Sequence, residues 1–177
     1  GGTWGYGKSV LWANNCTRTV LFNSSLSEPY RHQDINIERR LIGYTKLPDF
    51  VTSENKAYSG DIFLGNESDN NLMEINSIWN ADSIEAADAI NIESFKRVDG
   101  DSGTSIIIVG FEPGDDSSDD SEEIAALMKD AIERYFWPAI VDKKLKVNLS
   151  CNGEEYPIEP LSNSDIKPFV RLYTKAM

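Results

Sequence analysis

A chain of 177 residues with 40% apolar content can bury one real core, and a net charge of −12 argues against broad nucleic-acid binding, which needs clustered Lys and Arg. No apolar run approaches the ~20 residues that span a bilayer, and the glycine-rich start lacks the basic-then-apolar order of a secretory signal, so no membrane role is expected. Cys16, Cys151 and the lone His32 are too few and too scattered for a zinc site; free thiols in a reducing cytoplasm are expected, with a long-range disulfide as the alternative.

Helix is predicted from about Lys8 to Asn15, followed by a strand over "RTVLFNS". "RRLIGYTKL" and "AYSGDIFLG" supply further strands, "ESDNN" a loop, and "NADSIEAADAIN" a short helix capped by Asn80 or Asp82. In "GTSIIIVGF" the continuous apolar run Ile106 to Val109 predicts a buried, central strand. An acidic loop, "PGDDSSDDS", then leads into a helix with Asp120 and Glu123 at capping-box spacing. Its packed face is expected to carry Ile124, Leu127, Met128, Ala131, Ile132 and Tyr135, and Pro138 interrupts it near its end. "KLKVNLS" and "EEYPIEPL" predict a hairpin about "CNGE", and a last helix starts near Asn163. The class is α+β, a two-layer mixed or antiparallel sheet with helices on one face. Residues 1–120 read as one portion, and 121–177 as a continuation of it or the start of the next domain.

The opening string "GGTWGYGKSVLW" fits two phosphate-binding patterns. From Gly2 it spells G-x-x-x-x-G-K-S, a phosphate loop in which Lys8 would reach the terminal phosphates and Ser9 would hold Mg²⁺. That fold also needs an apolar strand ending in Asp to hold the metal. "TVLF" ends in Asn23, "SIIIV" runs into Gly110, and "LKVNLS" ends in Cys151. By its glycines alone, the string spells G-x-x-G-x-G. Amides of such a loop can approach phosphate oxygens, and the following helix points its positive end at them. The charge distribution suits a polyphosphate here. Gly1 to Ser27 holds no carboxylate, only Lys8 and Arg18, whereas Val98 to Met128 holds nine acids and no base.

Gly2-Thr3-Trp4-Gly5-Tyr6-Gly7, then a helix, then "TVLFNS", resembles the ATP-lid region of the Bergerat-fold (GHKL) ATPases, the superfamily of DNA gyrase B, MutL, the heat-shock chaperone ATPases and histidine kinases. The likeness is greatest to the chaperone type, and a second landmark, Gly103-Thr104 opening "SIIIVGF", follows in the family's order. The two stretches cover about a fifth of the chain. The resemblance implies a partial ATP-binding domain. In it Gly2, Thr3, Trp4, Gly5, Tyr6, Gly7, Lys8 and Ser9 form a lid over ATP, and Thr104 lies on the pocket floor. In that superfamily the acid that activates water, the Asn that holds Mg²⁺ and the D-x-G-x-G aspartate that binds adenine all precede the lid. The chain, which lacks an initiating Met, is therefore expected to be an excised piece of a parent ATPase, with no catalytic or metal-ligating residue of its own and weak affinity for ATP. Its expected partners are nucleotide, the missing N-terminal half of the domain, and a second copy in a homodimer. A phosphate-loop nucleotidase fragment and a non-enzymatic acidic interaction module are the alternatives.

Three other stretches have simpler readings. "DGDSGT" resembles the nucleophile loop of haloacid-dehalogenase-like phosphatases, but Phe95-Lys96-Arg97-Val98 before it is no buried apolar strand, so a turn is expected. "DDSSDDSEE" lacks the sixth-place Gly and twelfth-place Glu of a Ca²⁺ loop, where Ala126 stands. "RYFWPAI" is expected to pack at a helix end, with a partner surface as the alternative.

Overall fold

The structure, a computed structural model, describes residues 6–32, 35–68, 71–98, 100–112 and 120–176, without the side chains of 6–9, 32 and 71–73. The chain divides into two compact units, Gly1–Glu112 and Pro113–Met177. Helices and antiparallel strands make up both, which is the α+β class.

Unit 1 opens with α1 (Tyr6–Ala13), which leads at Asn14 into β1 (Asn15–His32) and β2 (Ile35–Lys46). Short strands follow: β3 (Phe50–Val51), β4 (Ala57–Tyr58), β5 (Asp61–Leu64), β6 (Asn66–Ser68), β7 (Asn71–Asn76) and β8 (Ile78–Trp79). Then come α2 (Asn80–Ile90), a 3-10 turn at Glu93–Phe95, and β9 (Gly103–Phe111). The main sheet runs β5-β2-β1-β9, and β8 also pairs with β2; all these pairings are antiparallel. The other expected strands and helices are present, but "AYSGDIFLG" divides into β4 and β5 on two different sheets, and β6 and β7 form a hairpin across "ESDNN", whose residues 69–70 lie outside the described set.

Alternation along β1 sorts its side chains between two faces. Leu21 and Asn23 turn toward α2 and the 3-10 turn, where Leu41, Ala87 and Phe95 form the buried core with Ile107 against it. Asn23 is itself buried, and its Nδ2 donates to the carbonyl of Phe95 at 2.9 Å, tying the 3-10 turn to the sheet. Phe22 and Ser24 face the other way, and Trp12 of α1 meets Phe22 there, ring centroids 6.3 Å apart.

Two expectations change in unit 1. Neither Asn80 nor Asp82 caps α2. The N-cap is Trp79, whose side chain makes no capping bond, while Asn80 begins the helix at φ 49°. Its amide instead clamps β2, accepting from Glu38 N at 2.9 Å and donating to Asn36 O at 2.8 Å. β9 is an edge strand rather than a central one, with β1 as its one neighbour among the described residues, and Ile106 stays 47% exposed.

Unit 2 holds α3 (Ser121–Val141), β10 (Ser150–Cys151), β11 (Glu154–Glu155) and α4 (Lys167–Ala176). Asp120 caps α3 by accepting from Glu122 N at 3.0 Å. Pro138 lies within α3 and does not end it. The hairpin turns at Asn152-Gly153, both with positive φ, as a two-residue type I′ turn requires. The packed face of α3 shares only half-buried Ile124 and Ile132 with the predicted one. Ala125 and Glu133 are buried, while Leu127, Met128 and Tyr135 are exposed. The Glu133 carboxylate accepts from Glu159 N at 2.8 Å and Asn163 Nδ2 at 3.2 Å, which compensates its burial and holds the 159–163 segment against α3. Of the aromatic cluster, Trp137 packs edge-on against Tyr173, whereas Tyr135 and Phe136 remain exposed. Both cysteines are free thiols, and Cys16 is exposed.

Phe95→Ala should lower the stability of unit 1 by about 3–5 kcal/mol, because it empties a fully buried ring site. Urea unfolding in a Trp137→Phe background, where tryptophan fluorescence reports unit 1 alone, measures this. A loss below about 1 kcal/mol would mean that the Leu41–Ala87–Phe95 cluster is not the core.

Candidate functional site

The predicted lid residues fall unevenly. Gly2, Thr3, Trp4 and Gly5 lie outside the described residues, and Tyr6, Gly7, Lys8 and Ser9 are described only as the first backbone turns of α1. Residues 113–119 of the acidic loop also lie outside. Thr104 stands near the start of β9, exposed, with its Oγ1 3.0 Å from Ser24 Oγ on the neighbouring strand. It lies on the sheet face that Phe22 shares with Trp12. The second landmark and the strand that follows the glycine loop are thus adjacent, although eighty residues separate them in the chain.

Gly103 has a local reason to be glycine. Its φ is +144°, and a Cβ there would lie 2.6 Å from Nη2 of Arg97. That guanidinium reaches the 101 turn, with Nη2 3.3 Å from the carbonyl oxygen of Asp101 and 3.2 Å from its carboxylate. Arg39, largely buried, donates from Nη1 to the carbonyl of Arg97 at 2.6 Å. In "DGDSGT", whose Asp99 lies outside the described residues, Asp101 N–H donates to Val98 O at 3.2 Å, a turn closure ahead of β9. Gly100 and Ser102 line an open polar groove of about 510 Å³ together with Ser25, Ser27, Glu38 and Arg39. The groove adjoins the Gly103–Thr104 end of the sheet and offers both signs of charge.

On the face carrying Trp12, an aromatic row crosses the sheet. Trp12 meets Tyr44 edge-on at 5.5 Å, and Tyr44 meets Phe63 at 4.9 Å. The hydroxyl of Tyr44 donates to Asp61 Oδ1. That bond, then burial, then the carboxylate's charge hold the Tyr44 phenol above its ordinary value of 10.0. The sequence hid this row because Trp12, Tyr44 and Phe63 belong to three elements and no spacing rule joins them. No three His, Cys, Asp or Glu side chains converge as metal ligands among the described residues, so a Mg²⁺ site is not assembled from them. No described helix is long and apolar enough to cross a membrane.

No family model, no curated protein and no solved structure matches the chain. The residues themselves therefore carry the functional argument.

Gly103→Ala is expected to destabilise unit 1 by about 1–3 kcal/mol, since it combines an unfavourable φ with a clash against Arg97. A thermal melt that does not move would remove the packing reason for this glycine. Tyr44 should titrate above pH 10 when followed by NMR, and Asp61→Asn should bring it down toward 10. A raised folded value stabilises the fold fully below the unfolded value and ceases to do so as pH rises through the folded one, so the variant should differ least in stability at strongly alkaline pH.

Proposed function

We propose that unit 1 is the lid-bearing part of a nucleotide-binding domain of Bergerat type. In it Gly2, Gly5, Gly7 and Lys8 close over the phosphates of ATP, and Thr104 contributes to the floor beneath the base. The observation that supports the reading is the 3.0 Å approach of Thr104 to Ser24. It sets the Gly103–Thr104 landmark beside the strand that continues from the lid helix, with an exposed hydroxyl on the face that Trp12 shares. A helix entered from a glycine loop also presents free amides and a positive dipole end to an anion. Lys8 would act as a mobile cation rather than as the fixed centre of a cradle.

The phosphate-loop alternative fits less well. That motif feeds a strand–loop–helix unit into a parallel sheet, and every pairing of this sheet among the described residues is antiparallel. Because the described residues assemble no metal site, the proposal covers phosphate contact and lid closure and assigns no hydrolytic step.

Calorimetric titration of the full-length protein with ATP separates the readings. Lys8→Ala is expected to weaken binding by about 3- to 10-fold, or roughly 0.7–1.4 kcal/mol, and Thr104→Val by about 10-fold. A loss beyond about 100-fold for Lys8→Ala would transfer the assignment to the phosphate loop. Indifference of the full-length protein to ATP would leave an acidic interaction module.

A further inference from the structure

We propose that unit 1 carries a separate groove for a small planar aromatic anion, at the end of β1 remote from Ser24 and Thr104. The inference does not depend on the lid reading. Two depressions meet there. One, of about 560 Å³, is lined by Trp12, Phe22, Ile42, Tyr44 and Phe63, with Lys46 and Asp61 at its margin. The other, of about 520 Å³, is lined by Arg18, Cys16, Asn15 and Glu112 and shares Trp12 and Lys46 with the first. Trp12 and Lys46 line both, so the two depressions adjoin, one aromatic and one carrying the cations, each within the size range of small-molecule sites.

The cationic half is unusual for this chain. Acids outnumber bases 29 to 17, yet neither the Arg18 nor the Lys46 side chain has a hydrogen-bond or ion-pair partner among the described residues. Arg18 also sits at φ 50°, a conformation that costs a non-glycine residue energy and persists only where the surroundings impose it. The imposing feature is a bulge in β1. Asn15 pairs with Phe111 and Thr19 with Val109, so four steps of β1 span two steps of β9. Asn15, 5% exposed, locks the bulge, donating from Nδ2 to Thr19 O at 2.7 Å and accepting from Thr17 N at 3.0 Å. Thr17 Oγ1 lies 2.6 Å from the Val109 carbonyl oxygen and secures it to β9. A buried polar clamp thus holds a strained arginine at the mouth of an aromatic trough.

The chemistry of the walls selects the ligand. Trp12, Tyr44 and Phe63 offer ring edges and faces for a planar ring, and Arg18 with Lys46 offers donors for an anionic group joined to it. Two carboxylates border the trough. Asp61 keeps its charge on the aromatic side, where it accepts from the Tyr44 hydroxyl, while the second depression sets Glu112 against two cations and is itself net positive. Six steps along β1 separate Arg18 from Ser24, about 20 Å of extended strand, so one small ligand cannot contact both Arg18 and Thr104.

The test titrates the full-length protein with 1-naphthyl phosphate, its neutral counterpart 1-naphthol, and inorganic phosphate, by calorimetry and by NMR of the Trp12 indole N–H. Naphthyl phosphate should bind at least 5-fold tighter than naphthol and shift the Trp12 resonance, while inorganic phosphate alone binds weakly. Arg18→Gln with Lys46→Gln should abolish the 5-fold preference, Phe63→Ala should weaken both aromatic probes, and Glu112→Gln should tighten the phosphate ester. Thr104→Val should leave these affinities unchanged. Should the Arg18 variant fail to fold, as circular dichroism would reveal, Lys46→Gln alone, at an exposed side chain, must still reduce the preference. Equal affinity for the two aromatic probes, no binding up to millimolar concentration, or a loss on Thr104→Val comparable to that of the charge variant would overturn the proposal.

Discussion

β1 has a hydrogen-bonded neighbour on each edge, and the arrangement of unit 1 depends on that double pairing. Pairing with β2 on one side and β9 on the other fixes which alternate side chains look toward α2 and which toward Trp12. A slip of one residue would carry Leu21 out of the core and put Phe22 in its place. The register also sets Thr104 opposite Ser24 and the Asn15–Thr19 bulge opposite Val109. Both candidate ligand regions are therefore consequences of one set of backbone hydrogen bonds.

The same pairing explains why an apolar run misleads. Ile106, Ile107 and Ile108 read as a strand covered on both faces and flanked on both edges. Only Ile107 reaches the core of Leu41 and Phe95, while Ile106 and Ile108 turn to the face of Phe22 and Val20. Composition reports how apolar a strand is, but the number of its neighbours follows from chain segments that lie far away in sequence. β9 ends the sheet because β1 alone pairs with it among the described residues.

In unit 2 the contrast is sharper. The spacing of Leu127, Met128, Ala131 and Tyr135 marks an apolar stripe on α3, and that stripe is real, but the helix turns a different side inward. Glu133 is drawn into the interior because the backbone of Glu159 and the amide of Asn163 supply donors for its carboxylate. Periodicity assigns a face to a helix only when burying apolar area outweighs everything else the helix must satisfy. Here a buried, hydrogen-bonded carboxylate and the 159–163 segment that it anchors compete with it. Asn80 illustrates the same limit, since a good capping residue serves instead as a cross-link to β2.

Local chemistry made much of this protein legible from residue order: the helix after the glycine loop, the strands of "RTVLFNS" and "GTSIIIVGF", the Asn152-Gly153 hairpin and the Asp120 cap, each set by neighbours within a few positions. The acid-free opening segment and the Gly103-Thr104 dipeptide were equally visible, and the proposed nucleotide reading starts from them. Which residues share a surface was decided only by the tertiary fold. Trp12, Tyr44, Phe63, Arg18 and Lys46 come together because antiparallel pairing folds distant segments side by side, and a bulge locked by one buried asparagine brings Arg18 to the groove that Lys46 also lines. Such proximity depends on pairing partners that no single stretch of sequence contains.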